Sequence, residues 1–258
     1  MKICVLIKQV PDKDSKITIG PDSKSIETSN ITNVINESDN YALEEALLLK
    51  EKHGGEVAVC SLGGNSANEI IKTALAKGAD KGIHLIDNSS AYKDILTVAK
   101  IIAKQLEGQN YDLVLSGLQS DDSGNCQLGL LIAELLGTSH SSLVMSTEMI
   151  NENTIKIKQE LESGWFQWSE LSLPASLTIQ SGINNPRYAS LRGIMMAKNK
   201  PLESIEVNLS DYESSVELEK LYIPSKTKET QYIDGRTDEM ATEILNILTY
   251  EIKVLLIY

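Results

Sequence analysis

Short runs rich in Val, Ile and Leu alternate with segments whose apolar residues recur at helical spacing through the first half of the chain. The runs at 2–9, 56–62, 82–86, 111–116 and about 173–180 have the continuous apolar character of strands buried on both faces. Strands of that kind separated by helices predict βαβ units and a parallel sheet covered on both sides, a three-layer α/β architecture. The first helix, about Asp39 to Lys52, carries Leu43, Ala46 and Leu47 on one stripe and ends at Gly54 and Gly55, which turns its charged face to solvent. The second opens with a capping box, Ser66 to Glu69, buries Ile71, Ala74 and Leu75, and stops at Gly78. The third, about 91–107, buries Ile95, Val98, Ile102 and Leu106. The fourth uses Leu128, Leu131, Ile132 and Leu135 before Gly137.

Two alternating runs within 154–170, joined at Glu162, Ser163 and Gly164, predict a β-hairpin with Trp165, Phe166 and Trp168 as a packed aromatic edge. After Pro201 the βαβ grammar ends, so an α/β domain, 1–203, is followed by an extension, 204–258. In that extension Thr237 caps a helix with Asp238 and Glu239 in its first turn, and Met240, Ile244, Ile247 and Leu248 form its apolar stripe. The apolar ending "VLLIY" on this acidic tail is expected to dock on another surface.

The 258 residues suffice for one sizeable core, and 41% hydrophobic with 23% charged residues is an ordinary globular balance. A net charge of −12 repels phosphate backbones and anionic lipid, which argues against nucleic acid as a partner. No run approaches the ~20 apolar residues of a membrane span, so no membrane insertion is expected. The first ten residues read as a strand interrupted by Lys8, without a signal-peptide cleavage pattern. Cys4, Cys60 and Cys126 have neither disulfide nor zinc spacing, consistent with a reducing cytoplasm, and no metal site is expected.

In an open parallel sheet, ligands bind beyond the carboxyl ends of the strands. Three loops there converge on one rim. The first strand runs into Leu6 and Lys8, and the second ends at Gly63 and Gly64, where a ligand could approach the backbone. The fourth leads through 116–129, a loop rich in Ser, Asp, Asn and Gln that can hydrogen-bond an adenine edge, a ribose or a phosphate. Neither a GxGxxG fingerprint nor a GxxxxGK[ST] loop is present, and no histidine sits in a recognisable nucleophile motif, so no catalytic residue is assigned.

The segment "NPRYASLRGIMMAKNKPLE", 185–203, resembles the corresponding segment of electron transfer flavoprotein beta subunits. So do "CVLIKQVPD" at the start, "ALEEALLLKEK" at 42–52, "IIKTALAKGADKGIHL" at 70–85, "YDLVLSGLQSDD" at 111–122 and "LPASLTIQSGIN" at 173–184, in the family's order. The resemblance implies a Rossmann-like adenine-nucleotide-binding domain with a C-terminal docking extension. It also implies an electron carrier, not an enzyme by itself, heterodimeric with an alpha subunit. That carrier takes electrons through FAD from acyl-CoA-type or related flavin dehydrogenases. Ordinary members hold AMP in the beta subunit, and electron-bifurcating members hold a second FAD there. By position, the nucleotide contacts fall on Leu6, Lys8, Asn36, Ser38, Asp39, Leu62, Gly63 and Ser120 to Leu128, which includes Ser123, Asn125, Cys126 and Gln127. Cys126 and Leu128 stand where the family pattern has an amide and a hydroxyl for phosphate, leaving Ser123, Asn125 and backbone N–H groups as substitutes. Leu191 matches the family's dehydrogenase-docking leucine. Met196 and Asn199 replace two usual lysines, which marks a divergent paralogue. The alternative is a stand-alone adenine-nucleotide-binding protein of the universal-stress or ATP-pyrophosphatase kind.

Overall fold

The computed structural model describes residues 1–89, 93–208, 211–225 and 230–253. The chain divides into two compact units, Met1–Leu221 and Tyr222–Tyr258.

In the first unit, β1 (Lys2–Leu6), β4 (Glu56–Gly63), β5 (Lys81–Ile86), β6 (Leu113–Gly117) and β10 (Ala175–Ile179) are the strands expected from the apolar runs. Among the described residues they join one nine-stranded sheet with β7 (Ser139–Asn151), β8 (Thr154–Glu160), β9 (Phe166–Ser172) and β11 (Leu202–Glu206). The order is β11-β5-β4-β1-β6-β10-β7-β8-β9, parallel from β11 to β7 and antiparallel from β7 to β9. A separate pair, β2 (Gln9–Pro11) with β3 (Asn33–Ile35), follows β1.

Helices α1 (Glu37–His53) and α2 (Asn68–Lys77) pack on one face of the sheet. α3 (Ile95–Leu106) and the buried Ile132 of α4 (Leu128–Leu136) pack on the other. Ile3 and Val5 of β1 point into the first layer and Cys4 and Leu6 into the second, because successive strand residues face opposite sides. Both layers are therefore apolar, and the doubly buried strands carry no polar alternation.

Several expectations need correction. β11 pairs in parallel with β5, so the sheet passes through the 203/204 boundary and the first unit runs to Leu221. Its short sequence, with glutamates on both sides, carries no buried-strand pattern. β7 was not anticipated because its mixture of Ser, Met and Thr gives no clean period.

The charged face of α1 does not all meet solvent, since Glu44 and Glu45 are buried. No capping box opens α2: a 3₁₀ turn, Asn65–Ala67, precedes it, and the Ser66 hydroxyl instead donates to Gln9 Oε1 at 2.7 Å. Leu135 of α4 is exposed, and Ala133 takes its place inside. The hairpin forms as expected from β8 and β9. Its aromatic residues are not packed, however, with Trp165 72% and Trp168 52% exposed. Lys156 lies 5.0 Å from the Trp168 ring and Lys158 3.8 Å from the Phe166 ring.

In the second unit α6 (Thr237–Asn246) continues into a π-helical turn, Ile247–Glu251. Arg236, not Thr237, holds the N-cap position, and its N–H donates to Glu239 Oε2 at 3.1 Å. None of the described residues from 222 onward is buried. The "VLLIY" ending, 254–258, lies outside the described residues.

Candidate functional site

The carboxyl ends of β1, β4 and β6 open onto a cavity of about 370 Å³. Two kinds of surface line it. Leu6, Cys60, Leu62, Ile95, Val98 and Ile102 make an apolar chamber between the strand ends and α3. Lys8, Ser120, Asp122, Ser123, Asn125 and Gln127 make a polar rim from the end of β1 and the β6–α4 loop.

The rim is held by the first turn of α1, which is why a helix on the far face matters to the site. Asn36, buried, donates from Nδ2 to Gln119 O at 2.8 Å and accepts from Asp121 N at Oδ1 at 2.9 Å. Ser38 Oγ donates to the same Gln119 carbonyl at 2.6 Å. Asp121 caps α1 in return, its Oδ2 accepting from Glu37 N at 3.1 Å, so a carboxylate sits at the positive end of that helix.

Asp39 bridges two strand ends. Its Oδ2 accepts the Lys8 N–H at 2.8 Å and its Oδ1 the Gly117 N–H at 3.0 Å. Burial pushes its carboxyl up to about 7 against the lowering effect of those hydrogen bonds. The crossing is too close for a side chain on β6: a Cβ at Gly117 would lie 2.2 Å from Ser38 Oγ and 2.5 Å from Asp39 Oδ1.

Lys8 Nζ reaches across to both carboxylate oxygens of Asp122 at 2.7 Å, with Ser120 Oγ at 3.4 Å and Ser123 Oγ at 3.5 Å. Burial would raise the Asp122 carboxyl, but the Lys8 hydrogen bond and charge hold it below the usual carboxylate range. Cys126 adopts φ 55° and its Sγ donates to Gln119 Oε1 at 3.0 Å. Gln127 is exposed at the N-cap position of α4, and its side chain makes no cap hydrogen bond.

Of the nucleotide positions read from sequence, Leu6, Lys8, Asn36, Asp39, Leu62 and the 120–128 loop apart from Asp121 and Gly124 line this one cavity, and Ser38 and Gly63 do not. Ser38 supports the rim from behind. The Gly63 carbonyl faces His84 Nε2 at 3.2 Å, with the Gly64 carbonyl at 3.1 Å.

Sequence reasoning did not assign Ile95, Val98 and Ile102 to the site, because a stripe that lines a chamber has the same period as one that covers a sheet. Ser116, which opens the polar loop singled out in the sequence, lines the cavity, and its buried Oγ has no hydrogen-bond partner. An apolar chamber beside a rim of hydroxyls, amides and backbone N–H groups can take a ligand with one apolar and one polar end, and the unpaired Ser116 hydroxyl suits a ligand heteroatom.

On the opposite side of α1, Arg187 presents Nε and Nη2 to Glu44 at 2.8–3.1 Å, and its own N–H donates to Glu44 Oε2 at 3.0 Å. Asn184 Nδ2 donates to Tyr41 O at 3.1 Å and Glu45 Oε2 at 3.0 Å. Downstream, Leu191 begins a short helix, α5 (Leu191–Ala197), capped by Ser190 Oγ on Gly193 N at 3.0 Å. Leu191 is 84% exposed, beside exposed Tyr188 and Met195. Among the described residues no cluster of three or more His, Cys, Asp or Glu could hold a metal, and no helix is long and apolar enough to cross a membrane.

A family profile described as the electron transfer flavoprotein domain matches residues 24–210. The chain is 34% identical to electron transfer flavoprotein subunit beta of Methylophilus methylotrophus, over 96% of this chain and 98% of that one. It is 33% identical to the Bacillus subtilis subunit beta, over 99% and 100% of the two chains, and 33% identical to the mitochondrial subunit beta of Arabidopsis thaliana, over 95% and 98%. With that profile match and near full-length similarity of this kind, the chain belongs to the electron transfer flavoprotein family as a beta subunit.

Proposed function

We propose that this beta subunit pairs with an alpha subunit and that its cavity holds an adenine nucleotide, either AMP or the adenosine half of a second FAD. The observation that carries this reading is the gathering of Leu6, Lys8, Asn36, Asp39, Leu62 and the 120–128 loop around one chamber. The chamber takes the base, the Ser116 hydroxyl is available to it, and the rim with the N–H groups leading into α4 faces the phosphate. FAD in the heterodimer supplies the one- and two-electron chemistry of a carrier. This chain's residues bind and orient, and none is assigned a catalytic role.

The donor is a flavin dehydrogenase of the acyl-CoA or a related class, which docks on exposed Leu191, and the compartment is cytoplasmic. The C-terminal unit beyond Leu221 covers the alpha subunit with the Ile244 and Leu245 face of α6, both about half exposed in this chain. Removing 237–258 should then lower heterodimer affinity strongly, and unchanged affinity would reject that docking.

Co-expression of both subunits followed by flavin and AMP counting tests the central reading. About one flavin with one AMP per heterodimer, or about two flavins and no AMP, fits the proposal and separates its two forms. One flavin with no adenine nucleotide beside this chain rejects it.

A further inference from the structure

Among the described residues, three buried polar side chains line the cavity, those of Asn36, Asp39 and Ser116. The first two are already bonded within the chain. Asn36 bonds Gln119 O and Asp121 N, and Asp39 bonds the N–H groups of Lys8 and Gly117. Ser116, only 5% exposed, has no partner for its Oγ in the chain. A buried hydroxyl is costly to leave unbonded, so its partner is expected from outside the chain.

The fold fixes what that hydroxyl can meet. Ser116 follows Val114 by two residues on β6, so both side chains face the layer of α3 and α4, into which Leu6 and Cys60 of the chamber also point. α4 closes over it from one side: a Cβ at Gly129 would lie 2.7 Å from Ser116 Oγ and 2.4 Å from Thr178 Cγ2 on the neighbouring strand. The flank of that helix has no donor or acceptor to give, because its N–H and C=O groups run along the axis. The open side of the hydroxyl is therefore the chamber, whose further walls are Leu62, Ile95, Val98 and Ile102.

We propose that Ser116 is a specificity-determining residue of this cavity, its hydroxyl donating to a neutral acceptor atom of the nucleoside, a purine ring nitrogen or a ribose hydroxyl oxygen, and not to the phosphate. The proposal rests on the adenine-nucleotide reading above. One hydroxyl in apolar surroundings satisfies a neutral acceptor, but it leaves a phosphate anion desolvated without compensation. The phosphate has the rim hydroxyls and the N–H groups leading into α4 instead. A ligand of the same shape without the acceptor would fill the chamber and bury an unmet donor, and a site built that way rejects it.

Thr178 supplies the control. It is the register partner of Ser116 on β10, and its Oγ1 is likewise buried without a partner, yet it does not line the cavity. Removing its hydroxyl disturbs the same strand-to-helix packing without touching the ligand.

The test uses the full-length chain purified with its alpha partner and dialysed free of nucleotide, titrated calorimetrically with adenosine and with AMP. Ser116→Ala should lower both affinities by the same factor, about tenfold, while the melting temperature of the nucleotide-free complex holds or rises. Ser116→Cys keeps the volume but donates weakly, and should lose most of the same affinity. Thr178→Val should lose none. Deaza analogues replace one ring nitrogen by C–H, and deoxy analogues lack one ribose hydroxyl. One of them should bind the wild-type complex about tenfold more weakly than adenosine does, yet bind Ser116→Ala as well as adenosine does, which identifies the acceptor. Loss of AMP affinity alone would place the hydroxyl on the phosphate, and an equal loss in Thr178→Val would make the effect one of packing. Unchanged affinities, or no analogue of that behaviour, would leave Ser116 to water. Each of these results overturns the proposal. Failure of adenosine and AMP to bind the wild-type complex would instead reject the nucleotide reading on which it stands.

Discussion

α1 serves two regions that solve opposite problems. At its first turn, the cavity rim turns polar side chains inward: Asn36, Ser38 and Asp39 are buried and matched to backbone groups of the β1 and β6 loops. Along its middle and end, Glu44, Glu45 and Glu51 hold the 184–187 segment by its polar groups, and the apolar residues that follow, Tyr188, Leu191 and Met195, are left in water. One region hides its hydrogen bonds to shape a cavity. The other hides its charges to present an apolar tip. The lesson is that a buried carboxylate here positions a neighbouring segment, and the cost of burying it is tolerable because every one is met by a donor.

The comparison can be broken most severely at Arg187. Arg187→Ala leaves Glu44, whose side chain is 7% exposed, without its guanidinium. Loss of about 3 kcal/mol in urea unfolding is expected, since a carboxylate stays buried unpaired, and Arg187→Lys should recover only part of it.

Next in size is Asp39→Asn, which places an amide N–H₂ against one of two backbone N–H groups and should cost about 2 kcal/mol. Its pH signature separates it from a packing defect. The folded carboxyl, pushed from 3.8 to about 7, binds a proton more readily than the unfolded one. Wild-type stability should therefore fall as pH rises between about 4 and 7 and level off above, and the Asn variant should lose that slope. An identical pH profile in both would refute the burial argument.

Leu191→Ala probes the other region without touching its foundation. Because the side chain is 84% exposed, the melting temperature should hold, while reduction by a partner dehydrogenase weakens roughly thirtyfold, or about 2 kcal/mol. A fall of several degrees in melting temperature with unchanged electron transfer would make it a core residue. The smallest effect is expected at Trp168→Ala, where an exposed ring stacked by Lys156 should contribute about 0.5 kcal/mol to unfolding.

Much of the parallel sheet was legible in the chain because doubly buried strands must be apolar throughout, and Gly78, Gly108 and Gly137, all with positive φ, end their helices where the pattern stops. β7 and β11 were not, because a strand with one face on solvent or at a sheet edge tolerates Ser, Thr and Glu. The polar loop at 116–129 announced itself by composition. The apolar half of the cavity did not, for Ile95, Val98 and Ile102 satisfy the period of any helix covering a sheet.

The sequence by itself determined the layers, the order of the βαβ units and the rim where chemistry gathers, since these follow from periodicity and from residues adjacent along the chain. Only the tertiary structure decided which partner each charge meets. Lys8 meets Asp122, Asp39 meets Gly117 and Glu44 meets Arg187 across separations of 114, 78 and 143 residues. A charge read in sequence is assigned to solvent by default, because burial costs too much for an unpaired ion. Its partner, and so its true location, exists only once the strands are ordered and the loops between them are brought to the same edge.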